Sequence, residues 1–443
     1  MDSKIIISLL FTFSFLISCK KDSDAVDPII SNPSPLASTY DGELAADWLK
    51  IHLDLIKSTP GFTPPVAARS LGYTSLALYE SVVAGIPGHH TLKGQINGLA
   101  MLPIADTSKI YNWGLVASVA QYTLLTQLFI TTSDKNKIKL DSVRVVYENK
   151  HKTGSTDEVI DRSVRYGALL ATSIFEFSKS DGGSTGHLTN FPKNYVVPNG
   201  IGYWKPTATQ LIPLLPEWGN NRPLVKANEE DKLKSPIPFS FEKNTSFFSE
   251  AKKVFDASKN QTSEQKAIAN FFVDGTGTVT TPGHHFNVAR LIFLKKKSKL
   301  DEVALAYVKV GLALNDAFIS CWKGKYNYYL MSPSSYIKQT IDKNWNPFLS
   351  NPPFPEYSSG NSTAAGATVT ILESLLGANY AFEDNTYEGL WPNRKYESFS
   401  KYGDESSKSG LYGGNQYEFS CTNGYDNGKI IAQNILNLKF KIQ

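Results

Sequence analysis

Apolar residues return at intervals of three and four through most of the chain, and each such run predicts a helix with one buried face. In "DGELAADWLKIHLDLIKS", Leu44, Trp48, His52 and Leu55 share a stripe. "TPPVAARSLGYTSLALYESVVAG" opens with prolines suited to a first helical turn and closes on Gly85. "STDEVIDRSVRYGALLATSIFEFSKSDGG" starts with Ser155 and the acidic pair Asp157 and Glu158, and stops at Gly182 and Gly183. The run "DEVALAYVKVGLALNDAFISCWKGKY" is different. Val303, Tyr307, Val310, Leu314 and Ala317 form a helical stripe, and apolar residues also fill much of the remaining face. A helix apolar nearly all round is a central one. No run alternates strongly with period two, so strands should be few. The pattern reads as all-α, two helical bundles packed together.

The helical period breaks between residues 183 and about 245. There "NYVVPNGIGYWKPTATQLIPLLPEWGNNRPLV" is rich in proline, glycine and aromatics. It reads as a long ordered excursion that covers a helical core or shapes the mouth of a site. Composition supports a folded interior, with 41% hydrophobic and 12% aromatic residues. The net charge of +4 is small, and no basic stripe is present beyond "KKK" at Lys295 to Lys297, so no nucleic-acid partner is expected.

The first residues carry an address. Lys4 precedes "IIISLLFTFSFLIS", too short for an ordinary membrane span and suited to a secretory signal. It ends in "LISC", which resembles a bacterial lipobox. That resemblance implies a signal peptide over residues 1–18, a lipidated Cys19, a flexible tether to residue 38 and a folded domain from 39 to 443. "KKDSD" after the cysteine resembles lipoproteins of the Bacteroidota sent to the cell surface. Attachment to the outer membrane or cell surface through Cys19 follows as an expectation. Of the other cysteines, Cys321 lies on an apparent interior helix face, and no disulfide with Cys421 is expected.

Three stretches in the last third carry the chemistry: "KYNYYLMSP", "EYSSGNS" and "SGLYGGNQY". They resemble the signature of the superfamily of vanadium-dependent haloperoxidases and type 2 phosphatidic acid phosphatases. That signature is a lysine separated by six residues from Arg-Pro, then Pro-Ser-Gly-His, then Ser-Arg and a histidine after five further residues. "PPVAARSLGY", "GYWKPT", "LLPEWGNNRPL", "TPGHHFN", "NDAFISCWKGKY" and "NPPFPEY" resemble its bacterial haloperoxidase-like branch, so the likeness runs from about residue 40 to 440. A tetrahedral oxyanion needs several fixed donors and positive charge in a dry site. In the family, lysine and two arginines supply the charge, one histidine bonds vanadium or attacks phosphorus, and the other moves protons.

Carried over residue by residue, the resemblance implies an emptied pocket. Lys325, Ser359, Gly360 and Ser409 stand as in the family, while Ser358 replaces the proline. Ser332 and Gly410 occupy the two arginine positions, and Asn361 and Gln416 the two histidine positions. A hydrogen bond to a charged group contributes about 1.5–3 kcal/mol, so two lost arginines remove on the order of 3–6 kcal/mol, roughly 100- to 10,000-fold in anion affinity. No vanadate and no other cofactor or metal is expected to be held, and haloperoxidase or phosphatase turnover is not expected by the family's route.

The neutral replacements lie among tyrosines, with Tyr328, Tyr357, Tyr412 and Tyr417 as candidates to line a ligand. Amides beside aromatic faces suit a glycan or another uncharged polar molecule. The first reading is therefore a binding protein on a haloperoxidase scaffold. An alternative is a carbohydrate hydrolase or lyase in the same cavity, with Glu356, His284 or a tyrosine as acid or base and Asp316 as a possible carboxylate partner of Glu356. Residual phosphatase or haloperoxidase activity is a second alternative. No GxSxG, HExxH or P-loop is present.

Overall fold

The computed structural model of the chain describes residues 33–207, 210–230 and 232–442. The segment read as a signal peptide, Cys19 and most of the tether lie outside the described residues. Regular structure in the described residues is almost wholly helical. The first half holds α1 (Glu43–Ser58), α2 (Pro64–Val82), α3 (Trp113–Leu128), α4 (Asp134–Lys152) and α5 (Asp157–Ser178). The second half holds α6 (Ser246–Lys259), α7 (Ser263–Phe271), α8 (Thr280–Lys295), α9 (Leu300–Tyr328), α10 (Pro333–Thr340), α11 (Gly360–Leu376), α12 (Phe399–Gly413) and α13 (Glu418–Leu436). One antiparallel ribbon joins β1 (Phe382–Asp384) to β2 (Arg394–Tyr396), with Phe382 opposite Tyr396. The all-α reading holds.

The helix starts follow local chemistry. Thr156 caps α5 by accepting from Val159 N, and Thr262 and Gln265 form a reciprocal capping box on α7. Pro64 opens α2 and Pro333 opens α10, where a missing N–H costs nothing.

The central helix α9 organises the rest. Its apolar stretch is long enough to cross a membrane by length and composition, yet 83% of that window is buried inside the protein. Helix α2 packs along one side of α9, while α11 and α13 pack together and against the other. These approaches are close enough to exclude side chains. A Cβ added at Gly311 would lie 2.0 Å from Ser75 Oγ, and one at Gly428 would lie 2.1 Å from Thr363 O.

Between α5 and α6 the described residues form only two short 3-10 turns, Trp218–Asn220 and Lys226–Glu229. Asp316 on α9 pins this covering segment. Its carboxylate accepts Leu224 N at 2.7 Å, Val225 N at 3.0 Å, Asn228 Nδ2 at 2.8 Å and Asn315 Nδ2 at 2.9 Å. Asp316 thus faces the cover, and it shares no hydrogen-bond partner with Glu356. Burial pushes its carboxyl up to about 6, against the pull of those donors.

Removing Asp316 leaves four donors without an acceptor. Asp316→Ala is expected to lose about 3 kcal/mol of stability, with the Leu224 and Val225 amides exchanging hydrogen faster than the surrounding core. Unchanged protection there would mean that the cover is held elsewhere. Because the folded carboxyl holds its proton up to about 6 and the unfolded one only to about 3.9, wild-type stability should fall as pH rises through that window, and this contribution should vanish in the variant.

Candidate functional site

Lys325 lies in the last turn of α9 and is fully buried. Its Nζ donates to Pro355 O at 3.1 Å, Glu356 O at 3.0 Å and Ser358 O at 2.7 Å. It also lies 4.7 Å from the centre of the Phe354 ring. An ammonium has three N–H groups, and all three are committed to backbone carbonyls. Burial lowers the lysine pKa, and the nearby Cys321, Glu356 and Cys421 only partly offset it. The Glu356 carboxylate turns away from the ammonium and accepts Tyr417 N at 3.0 Å and Ser420 Oγ at 2.6 Å. Burial pushes it up to about 7.

Beside Lys325 opens a cavity of about 720 Å³. Its floor is Lys325, Ser359, Gly360, Asn361, Ser409, Gly410 and Gln416. Phe62, Phe191, Phe272, Phe318, Trp322 and Phe354 supply apolar walls, and the glycine-rich loop from Val273 to Thr281 and the turn from Leu349 to Pro353 form the remaining sides. No arginine, histidine, glutamate or tyrosine lines it among the described residues; its ionisable side chains are Lys57, Asp274 and Lys325.

The side chains of Asn361, Ser359 and Ser409 are spent on bonds within the protein. Asn361 Oδ1 accepts Thr281 Oγ1 at 2.7 Å, while its Nδ2 donates to Phe272 O at 2.6 Å and Ser409 Oγ at 3.3 Å. Ser359 caps α11 by accepting from Ser362 N. Gly410 and Gln416 are fitted together: a Cβ at 410 would lie 2.5 Å from Gln416 Cγ. Any side chain at 410, an arginine included, must displace Gln416.

Residues 306–442 match the family described as the VCPO second helical-bundle domain. Among solved structures, a bacterial vanadium-dependent iodoperoxidase is 30% identical with a TM-score of 0.81, the match covering 91% of this chain and 98% of that one. The chain belongs to the vanadium haloperoxidase superfamily. The apo and holo forms of a bacterial vanadium-dependent chloroperoxidase share the haloperoxidase fold at 14% identity. Their TM-scores are 0.63 and 0.62, covering 85% and 84% of this chain and 95% and 92% of theirs. No curated protein matches the chain.

On this haloperoxidase scaffold the signature-matched residues Lys325, Ser359, Gly360, Asn361, Gly410 and Gln416 come together on one cavity. Other sequence candidates do not. Ser332 is buried at the start of α10, its hydroxyl 3.3 Å from those of Ser334 and Ser335, and it does not line the cavity. Nor do the four tyrosines. Tyr357 and Tyr417 stack on Phe419 in a separate apolar cluster, and Tyr328 packs edge-on to Tyr357 against that cluster. Tyr412 packs against the main core. Glu356 and His284 are sealed behind the walls. Cys321 and Cys421 are free buried thiols.

His284 instead bonds two carboxylates, Asp274 through Nδ1 at 2.9 Å and Asp384 through Nε2 at 2.9 Å. Burial opposes its charge, but the two flanking carboxylates outweigh this and raise its pKa to about 10. The imidazolium ties α8 to β1 and to the cavity loop. Asp274 was not singled out by motif, yet it is the carboxylate on the cavity wall; "DGTG", an acid before two loop glycines and ahead of a histidine helix, was the available signal.

The folded protein keeps the His284 proton up to about 10, whereas an unfolded histidine releases it near 6.5. Its stabilising contribution is therefore complete below about 6.5 and is lost as pH rises through about 10. Denaturant titrations between these limits should show stability falling with pH in the wild type. His284→Gln should remove that slope and cost about 3–5 kcal/mol at neutral pH, because two buried carboxylates lose their counter-charge. An unchanged slope would assign the titration to another group.

The fit of Gly410 against Gln416 is also testable. Gly410→Ala should destabilise by about 1–3 kcal/mol, and adding Gln416→Ala, which removes the nearest atom, should restore part of it. Additive losses in a double-mutant cycle would mean the two sites do not touch.

Proposed function

We propose that this haloperoxidase relative is a lipid-tethered binding protein whose cavity takes an uncharged polar ligand such as a glycan, and that it does not work as a vanadium enzyme. The observation that carries this reading is the state of Lys325. The one buried cation of the cavity has no N–H left for an anion, because Pro355, Glu356 and Ser358 carbonyls take all three. The rest of the donor set does not fit vanadate either. Among the described residues no imidazole lines the cavity to bond a metal, and no guanidinium lines it to balance oxyanion charge. Asn361 and Gln416 lack a pKa suited to proton transfer.

Aromatic walls beside amide and hydroxyl groups support a ligand with apolar faces and polar edges. The hydrolase or lyase alternative rested on Glu356, His284 or a tyrosine; the first two are spent on structural bonds outside the cavity, and among the described residues no tyrosine lines it. Binding is thus the better supported function. The "LISC" sequence supports lipid attachment at Cys19, and with it an outer-membrane or cell-surface location.

The test is the thermal midpoint of the full chain in detergent against orthovanadate, phosphate, sulfate and a panel of neutral and acidic oligosaccharides. A ligand raises the midpoint according to its excess over the dissociation constant. No shift with micromolar vanadate or phosphate is expected, together with a dose-dependent rise for a neutral sugar. A micromolar vanadate shift accompanied by halide oxidation would overturn the reading. Separately, Cys19→Ser should move the protein from the membrane to the soluble fraction, and retention of the variant in the membrane would rule out a lipid tether.

A further inference from the structure

The cavity holds several polar atoms that the protein leaves without partners. Asp274 Oδ2, Thr280 Oγ1, Gln416 Oε1 and Asn351 Oδ1 are each buried and make no hydrogen bond among the described residues. All four residues line the same cavity. They come from three separate segments: the α7–α8 loop with the first residue of α8 (Asp274, Thr280), the turn after α10 (Asn351) and the turn between α12 and α13 (Gln416). Asp274, Thr280 and Gln416 retain only 5%, 7% and 8% exposure. Unmade hydrogen bonds at that depth are costly, so their gathering on one cavity needs an explanation.

Their polarity is one-sided. Three of the four atoms can only accept, and Thr280 can accept or donate. The orientation of Gln416 is fixed by its surroundings, since its Nε2 donates to Asn415 O at 3.2 Å, and a flipped amide would set oxygen against oxygen. Asp274 is likewise fixed: Oδ1 takes His284 and the hydroxyl of Tyr387, leaving Oδ2 free. The backbone also holds these groups in place. Asp274 and Thr280 adopt left-handed φ values of 44° and 64° at the two ends of the loop. Between them, a Cβ at Gly275 or Gly277 would meet nothing within 4 Å, so the loop borders open space.

We infer that Asp274, Thr280 and Gln416 form the recognition end of the cavity, and that its ligand is a hydroxyl-rich carbohydrate supplying the donors these atoms lack. This rests on the reading of the cavity as a site for an uncharged polar ligand and adds to it the residues and the direction of the hydrogen bonds. Carboxylate and amide oxygens accept from ring hydroxyls, while Phe272, Phe318, Trp322 and Phe354 offer apolar surface to the ring faces. An oxyanion fits this end badly, because its oxygens would face acceptors.

The experiment is calorimetric binding of neutral oligosaccharides to the full chain in detergent, with spermidine, a sulfated oligosaccharide and orthovanadate as further arms. A neutral sugar is expected to bind. Asp274→Asn should weaken it at least about tenfold, and Thr280→Val, which removes one oxygen without changing shape, about fivefold. Asp274→Asn also touches His284 and can fail to fold. Thr280→Val keeps the test decisive, because its thermal midpoint without ligand should match the wild type. Failure of every neutral sugar at millimolar concentration would overturn the inference, as would binding of spermidine or the sulfated sugar alone. Sugar binding untouched by both substitutions would overturn the residue assignment while leaving the parent reading intact. Tight vanadate binding would instead overturn the parent reading.

Discussion

A lysine ammonium cannot stay inside a protein unless every N–H meets an acceptor, and the way Lys325 meets this demand shapes the region around it. Three carbonyls of the segment Pro355 to Ser358 converge on one nitrogen. That convergence fixes the chain between α10 and α11 against the end of α9, and so sets where α11 begins. Glu356, in the same segment, sends its carboxylate to the start of α13. One residue pair thereby joins the ends of three helices. Here three backbone carbonyls meet the whole demand.

The neutral side chains around it follow the same economy. Asn361 ties α11 to the loop before α8 and to α12, and Gly410 leaves the room that Gln416 fills. These residues are interlocked, so restoring a charged pocket would need several coordinated changes. The charge that remains has been moved into the walls, where His284 sits between Asp274 and Asp384 and stiffens the loop that borders the cavity. The residues that border the cavity carry several buried acceptors without partners, beside aromatic rings.

Much of the fold was legible in the sequence. Helical period marked the helices, and the apolar circumference of "DEVALAYVKVGLALNDAFISCWKGKY" identified the central helix. The spacing of the three motif stretches also grouped Lys325, Ser359, Gly360, Asn361, Gly410 and Gln416, because those positions are set by helix ends that the superfamily shares. The directions of side chains were not legible. At the start of α10, Ser332 turns its hydroxyl to Ser334 and Ser335 instead of the cavity. Tyr328, Tyr357 and Tyr417 turn to a second apolar cluster that α6 and α10 build behind the site, and Tyr412 turns to the main core. Periodicity reports burial and is silent on which of two interiors receives a ring. Asp274 was hidden for a related reason: its importance comes from His284, which it shares with Asp384, 110 residues away in sequence, and from the hydroxyl of Tyr387.

The most direct measurement is a crystal structure of the protein soaked in orthovanadate. Lys325 Nζ is expected to remain within hydrogen-bond distance of the Pro355, Glu356 and Ser358 carbonyls, with no metal density at the start of α11. Vanadate bound there, with Lys325 released from its carbonyls to meet it, would contradict the claim that backbone carbonyls meet the whole demand of the ammonium.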